Sequence, residues 1–600
     1  MTRAGHWAAV LQRTLARACG VVLALMLAAV TATTLQRYLL GSGFLGIEEA
    51  MVWLLLLLAC LGFPMIADGA LAMRIELFAH GRKSRWATLR ETLAEAFTLA
   101  ACGVLAIAGT KAALDVGGHS ALLGLGEWMR PAALGLAGAA GIAMRMLVLA
   151  GARRMGLLLA AGTVAALMLM PVAAELSSSL LSPSLSALMV IGIGILVGAP
   201  LVHAFVLAGY AALAFGSMLV EPALALSLLG GIGRYLLLAI PFFLLAGGLL
   251  TISGAAGDLV RFAAAMVGRR RAGLGQTVLL TSVLFSGVSG SSIANAAFSS
   301  KTFMKPLTAA GYTPERAGAI IASTAVLDNI IPPSIAFLIL AAATNLPVGP
   351  LLTGGLFAGL ALAAALAVAI HFRAVIAVPT ASEPQASRAR LALRAVPVFG
   401  LGLIVVAGIR FGIVSPTEAA ALAAAYTLVL ALCGRHSRAG IFAALQQAGV
   451  ETAAITMLIG AATPLAFLLA IDGIGPWATG LARSFGENPF MVMIAANLIL
   501  LGVGLVLDIG AAILLFSPIL LPVAAAVGID PVAFGVVVVV NLMIGGLTPP
   551  VGILVQVTSA ATGVPATRLF SATRPYLAAL LLALLCISMG IAAHAAFLSP

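Results

Sequence analysis

At 600 residues, 62% hydrophobic and only 9% charged, with a mean hydropathy of +1.16, the chain does not have the composition of a soluble globular protein; such a protein covers itself with about 25% charged residues. The formal charge of +12 is explained by Lys and Arg gathered in cytoplasmic loops of a membrane protein. No basic patch interleaved with aromatics is present, so nucleic acid is set aside as a partner and the lipid bilayer is the expected one.

Arg3, Arg13 and Arg17 precede a first apolar run with its core at Val21–Thr34. The run is long and no small-residue cleavage site closes it, so it reads as a retained helix rather than a signal peptide. A second run follows at Met51–Ile66. The segments between runs alternate in charge. Residues 37–50 hold Arg37 against Glu48 and Glu49. Residues 74–90 hold Arg74, Arg82, Lys83, Arg85 and Arg90. Residues 113–130 are mixed, and Arg145, Arg153 and Arg154 close the stretch. Basic loops stay in the cytoplasm, so residues 1–154 read as a small four-helix membrane module with both ends inside. Residues 155–178, apolar over Met155–Ala174, read as a connecting transmembrane helix. Residues 179–600 read as a second, larger module ending in the apolar run Leu577–Phe597. Its polar, basic segment Thr380–Arg394 is expected to be a cytoplasmic loop between halves. The five cysteines lie in or beside apolar stretches without a CxxC, which argues against metal or disulfide roles.

An internal repeat runs through the large module. An offset of 217 takes Gly311 to Gly528, Pro314 to Pro531, Gly318 to Gly535, Pro332 to Pro549 and Pro333 to Pro550. It also takes Ser291 to Asp508. The first copy is flanked by Arg269–Arg271, Lys301, Lys305 and Arg316. The second is flanked by Glu487 and Asp530, with Arg483 its one basic residue. Opposite flanking charge marks an inverted repeat. Basic residues on both sides of Val278–Phe298 return that stretch to the side it entered from, making a re-entrant hairpin that turns within Gly287–Asn295. Its partner turns near Gly504–Ala512. The fold expected is an all-α polytopic membrane protein with hairpins near 274–305 and 492–525 and two Pro-Pro-broken helices.

Pro-Pro removes backbone donors, and lipid cannot satisfy the freed carbonyls, so each break must line a cavity or pack inside protein. Oxygen-bearing side chains collect there. The first turn has Ser289, Ser291, Ser292 and Asn295, and the first broken helix has Ser323, Thr324, Asp328 and Asn329. The second turn has Asp508, and its broken helix has Asn541 and Thr548. Oxygen donors suit a hard cation such as Na⁺. A carboxylate at the bilayer centre costs about 2.5–3.5 kcal/mol, so Asp508 needs a partner or a role. The plainer alternatives are close helix packing for Ser and Gly and a protonated structural acid for Asp508. Asp472 and Asp530 read as turn residues, and His80, His371 and His436 as solvated. No nucleophile elbow, HExxH or Walker lysine is present, so neither an enzyme nor a self-contained ATP-driven pump is expected.

At these residues the large module resembles the fused membrane subunit of a TRAP (tripartite ATP-independent periplasmic) transporter. The stretches, in order, are AIPFFLLAGGLL (239–250), FSGVSGSSIANAAF (285–298), IIPPSIAFLI (330–339), GIVSPTEAAALAAAY (412–426), LDIGAAILLFSPILLPVAAAVGIDPVAFG (507–535) and NLMIGGLTPPVGI (541–553). The small module is similar to the family's four-helix subunit through residues 36–65. Two departures stand out. The stretch DGALAMRIELF (68–78) lacks the usual Gly-His pair, and Asp328-Asn329 replace the usual Gly before the first Pro-Pro.

The resemblance implies secondary import of a small organic anion (a carboxylate or sugar acid), driven by Na⁺ as coupling ion and delivered by a periplasmic substrate-binding protein. It implies no cofactor, a bacterial inner-membrane location, and an elevator-type transport domain on a scaffold. By motif match, Na⁺ is expected at Ser291, Ser292, Asn295 and Asp508. Gly290, Pro332, Pro333, Pro549 and Pro550 are expected to shape the cavity. Two alternatives remain open: an Na⁺- or H⁺-coupled dicarboxylate carrier without a binding protein, and an ion channel.

Overall fold

The computed structural model describes residues 2–41, 43, 46–67, 72–74, 85–170, 181–267, 272–289, 291–373, 388–433, 438–484 and 488–598. Arg269–Arg271, Gly290, Glu487, His80 and His436 lie outside them. Among the described residues the chain is helical, with one isolated antiparallel bridge, His119 to Gly126. The first helices are α1 (Arg3–Leu40), α2 (Ile47–Gly62), α3 (Arg85–Asp115), α4 (Met129–Gly151), α5 (Met155–Leu169), α6 (Pro183–Val197), α7 (Leu201–Leu213) and α8 (Glu221–Ile232). Then come α9 (Ala239–Ser253), α10 (Ala255–Val267), α11 (Gly273–Ser289), α12 (Ser292–Ala309), α13 (Pro314–Thr324), α14 (Ile335–Thr344), α15 (Val348–Phe372), α16 (Arg388–Arg410) and α17 (Pro416–Cys433). The last are α18 (Arg438–Ile471), α19 (Ile474–Ser484), α20 (Pro489–Gly504), α21 (Ile509–Ala526), α22 (Pro531–Gly545), α23 (Ile553–Thr562) and α24 (Ala566–Leu598). Among the described residues, eleven helical stretches are long and apolar enough to cross a membrane.

The helices gather into two compact units: Met1–Pro241 with Phe442–Pro476, and Phe242–Ile441 with Trp477–Pro600. In the first unit, α3 and α4 meet on small residues. A Cβ added at Gly109 would lie 2.5 Å from the Gly135 nitrogen, and one at Gly138 would lie 2.5 Å from the Cys102 carbonyl oxygen. Lipid gives no hydrophobic drive between helices, so such close backbone approach supplies packing instead. A buried ion pair joins the same helices: the Arg145 guanidinium donates to both Glu95 carboxylate oxygens, at 2.6 and 3.1 Å. The same unit packs α1–α4 with α6–α8 and α18. Lys111 pairs with Glu221, and Gly62 lies so near Ala453 that an added Cβ would come within 2.1 Å of its Cβ. Asp472 does more than turn the chain: its carboxylate accepts the Ser184 N–H at 2.7 Å, at the N-terminus of α6. Helix α5 has 15 residues, a length of roughly 22 Å at about 1.5 Å per residue.

The second unit contains both copies of the repeat, and the 217 offset holds for whole elements. Helix α12 runs 292–309 and α21 runs 509–526; α13 begins at Pro314 and α22 at Pro531. Each copy is a helical hairpin (α11–α12, α20–α21) followed by a helix interrupted at Pro-Pro (α13–α14, α22–α23). Start signals are repeated too. Thr313 caps α13 by accepting the Arg316 N–H, and Asp530 caps α22 by accepting the Ala533 N–H, the usual work of such residues at N-caps. Both Pro-Pro peptides are cis. One local expectation is corrected: the segment read as a loop over Thr380–Arg394 is helical from Arg388, where α16 begins. Arg, Ala and Leu are strong helix formers, and a polar stretch of them extends a helix past its apolar core.

Candidate functional site

The hairpin tips carry the clearest correspondence. Ser291 is the N-cap of α12 and accepts the Ala294 N–H at 3.4 Å. Asp508, its equivalent, is the N-cap of α21 and accepts the Gly510 N–H at 3.0 Å. A helix N-terminus with its free N–H groups favours a negatively charged cap.

In the first copy, α13 tightens into a 3₁₀ turn over Ala325–Asn329 before the break. This turn carries Asp328, which is fully buried. Its Oδ1 accepts from the Ser286 hydroxyl at 2.7 Å and from the Asn295 amide at 3.1 Å. Asn295 Oδ1 in turn accepts from Ser299 at 2.9 Å. One broken helix is therefore tied to both arms of its hairpin. The Ser286 hydroxyl has one proton and two acceptors within reach, since the Ser282 carbonyl is 2.6 Å away. Buried oxygen atoms without a hydrogen-bond partner stand on the same elements: Ser282 Oγ, Ser292 Oγ, Ser323 Oγ and Asn329 Oδ1. Buried polar atoms are normally satisfied. Four unsatisfied oxygens on the elements that hold a carboxylate fit a small hard cation, which takes oxygen ligands.

The second copy is built differently. The Asn541 amide donates to Asn497 Oδ1 at 2.7 Å and to the Asn497 carbonyl at 3.0 Å, and Asn497 donates to Ser588 at 3.0 Å. Asn541 Oδ1 and Ser517 Oγ have no hydrogen-bond partner. The position equivalent to Asp328 is Gly545. There the backbones touch, and a Cβ added at Gly545 would meet the Gly504 Cα at 2.9 Å. The carboxylate of this copy is instead Asp508, half-buried at the hairpin tip.

The structure thus brings Asn295 to Asp328 and Asn541 to Asn497, while Asp508 caps its own helix. Ser292 lies on the Asn295 face of α12, and Asn329 follows Asp328. Thr324 and Thr548 turn their hydroxyls back onto their own helices, to Ile320 O at 3.0 Å and Gly545 O at 2.8 Å. Pro332 and Pro333 are buried, whereas Pro549 and Pro550 are exposed. Pro332 lines a small pocket with Thr353, Ile409 and Arg410. Ser286, Ser299, Asn497 and Ser588 escaped the sequence reading. Two of them carry a signal: Ser282 and Ser286 are four apart, and Ser292, Asn295 and Ser299 recur at three and four, so each set shares one helix face.

A repeat of hairpin and broken helix in an all-helical membrane protein, with buried oxygen-bearing side chains on the elements beside the breaks, defines a secondary transporter. The family model for the TRAP DctM component matches residues 185–592, and that for the DctQ component matches residues 26–156. The chain belongs to the tripartite ATP-independent periplasmic transporter family and carries both membrane components in one polypeptide. It is a multi-pass protein of the bacterial inner membrane. Its relatives are transport permeases, not enzymes. The C4-dicarboxylate TRAP transporter large permease protein DctM of Pseudomonas aeruginosa is 36% identical over 370 residues, 61% of this chain and 87% of that protein. The sialic acid TRAP transporter large permease protein SiaM of Vibrio cholerae is 33% identical over 370 residues, 60% and 85%. The 2,3-diketo-L-gulonate TRAP transporter large permease protein YiaN of Escherichia coli is 30% identical over 374 residues, 61% and 87%.

Proposed function

We propose that this chain imports a small organic acid by coupling it to Na⁺, receiving the acid from a periplasmic substrate-binding protein. The observation that carries the sodium reading is the set of unsatisfied buried oxygens on the elements that hold Asp328, matched in the other copy by Asp508 and the free Asn541 oxygen. The substrate class follows the relatives, whose named solutes are all carboxylates: C4-dicarboxylates, sialic acid and 2,3-diketo-L-gulonate. Ser292, Asn295, Asp328 and Asn329 would hold one cation, and Asp508 with Asn541 would serve the other copy. The elevator reading assigns the moving part to the compact unit that carries both hairpins. An inverted repeat supports two symmetry-related states for alternating access.

The test is reconstitution in proteoliposomes with an imposed Na⁺ gradient and a periplasmic binding protein loaded with labelled dicarboxylate or sugar acid. Concentrative uptake that requires both the gradient and the binding protein is expected. Uptake of free acid without the binding protein would replace this reading with a binding-protein-independent carrier. Non-saturating flux down a gradient would replace it with a channel.

A further inference from the structure

The two copies each contain one carboxylate in this region, but on different elements. In the first, the hairpin cap is Ser291 and the acid is Asp328 on the broken helix. In the second, the cap is the acid, Asp508, and the position equivalent to Asp328 is Gly545. Their surroundings differ with their placement. Asp328 has no exposure and is gripped by Ser286 of one hairpin arm and Asn295 of the other. Asp508 is half-buried at the tip, with its carboxylate turned to the first N–H groups of α21.

Resting on the sodium reading above, we infer that Asp328 makes the first-copy position the tightly held and slowly exchanging cation site of this transporter, and that the Asp508 position is the weaker, readily exchanging one. A buried charge is stable when it is paired or coordinates a metal. A cation among Ser292, Asn295, Asn329 and Asp328 would meet an anionic ligand and the Ser292 and Asn329 oxygens, which have no hydrogen-bond partner. The attraction acts where the effective dielectric is low, and both arms of the hairpin must part from Asp328 before the ion can leave. The Asp508 carboxylate instead accepts from its own helix, the Gly510 N–H at 3.0 Å. A carboxylate could not occupy the Gly545 position as the second copy is packed, because the Gly504 backbone fills the space. The difference between the copies is therefore built into backbone packing as well as side-chain identity.

The experiment uses the purified full chain in detergent, titrated with NaCl at constant ionic strength made up with choline chloride. Sodium binding is read by radiolabelled-sodium dissociation and by the thermal unfolding midpoint. Wild type is expected to show two classes of site, the tighter one releasing its label more slowly. Asp328→Asn should weaken the tight class roughly 30-fold or more, the scale for removing one partner of a buried charge pair, and leave the weak class in place. Asp508→Asn should do the reverse. Ser292→Ala removes an oxygen that has no hydrogen bond to lose; it keeps the test open if Asp328→Asn does not fold, and it too should weaken the tight class. A single class in wild type, or a tight class indifferent to Asp328→Asn, overturns the inference while leaving sodium coupling standing. So does a tight class indifferent to Ser292→Ala where Asp328→Asn is not folded. No sodium-specific effect in wild type would overturn the sodium reading itself.

Discussion

Asp508 caps a helix and is proposed to hold sodium, and one pair of substitutions divides the two roles. As N-cap of α21 it accepts the Gly510 N–H at 3.0 Å. Loss of such a cap to Ala costs about 1 kcal/mol, whereas Asn caps about as well as Asp. Loss of the negative charge at the helix start costs a further 0.3–1 kcal/mol or so. As a sodium ligand it would contribute through linkage: a site at about a hundredfold excess of sodium over Kd adds roughly 2.7 kcal/mol to the folded state. Asp508→Asn in choline chloride should therefore unfold within a degree or two of wild type, but should miss the upper part of the rise that wild type gains in NaCl. Asp508→Ala should miss that rise and also lie lower in both salts, by the cap. Thermal unfolding followed by intrinsic fluorescence in the two salts measures all of this. An Asn variant that keeps the whole sodium-dependent rise would refute the ligand role and leave Asp508 as a helix cap. An Asn variant lowered equally in both salts would do the same.

Other expectations concern the first unit. Glu95→Gln leaves the Arg145 guanidinium buried without its bidentate partner and should cost about 3–5 kcal/mol, whereas replacing both residues with Met should cost far less; unfolding midpoints of the singles and the double test this. Gly138→Val pushes side-chain carbon into the Cys102 carbonyl and should cost about 1–3 kcal/mol by overpacking, with Ala at the same place less harmful. Asp472→Ala removes the acceptor of the Ser184 N–H and should lower stability by about 1 kcal/mol; Asp472→Asn should retain most of it. Gly62→Val, facing Ala453 at a separation with no room for a Cβ, should loosen the packing of α2 on α18, read as a lower midpoint and faster proteolysis of the native protein.

Much of the architecture was legible because its signals are local. Pro-Pro at one offset, with Gly and Pro partners in step, gave the repeat, and the structure keeps the same spacing for helix starts at 292 and 509 and at 314 and 531. Ser291 and Asp508 could be singled out because the same offset pairs them and both fall within the motif stretches. The partners of Asp328 could not, because Ser286 is 42 positions away and Asn295 is 33. Their meeting depends on how a hairpin packs on a 3₁₀ turn. Asn497 was hidden for a similar reason: it sits inside an apolar helix with no charge beside it, and its partner Asn541 is 44 residues on. The helical start of α16 was missed because polarity was read as loop where helix propensity ruled.

The packing of α1–α4 with α6–α8 and α18 inside one compact unit bears on how the protein is made. The stretches matched by the two component models, 26–156 and 185–592, meet there through contacts as close as Gly62 on Ala453. In a two-chain arrangement that meeting would be a bimolecular event, set by how much of each partner a cell happens to synthesise. Joined by a short connection, the stretches meet at an effective concentration in the millimolar range or so. Every ribosome that finishes the chain delivers both halves in equal number, and dilution in the bilayer cannot separate them.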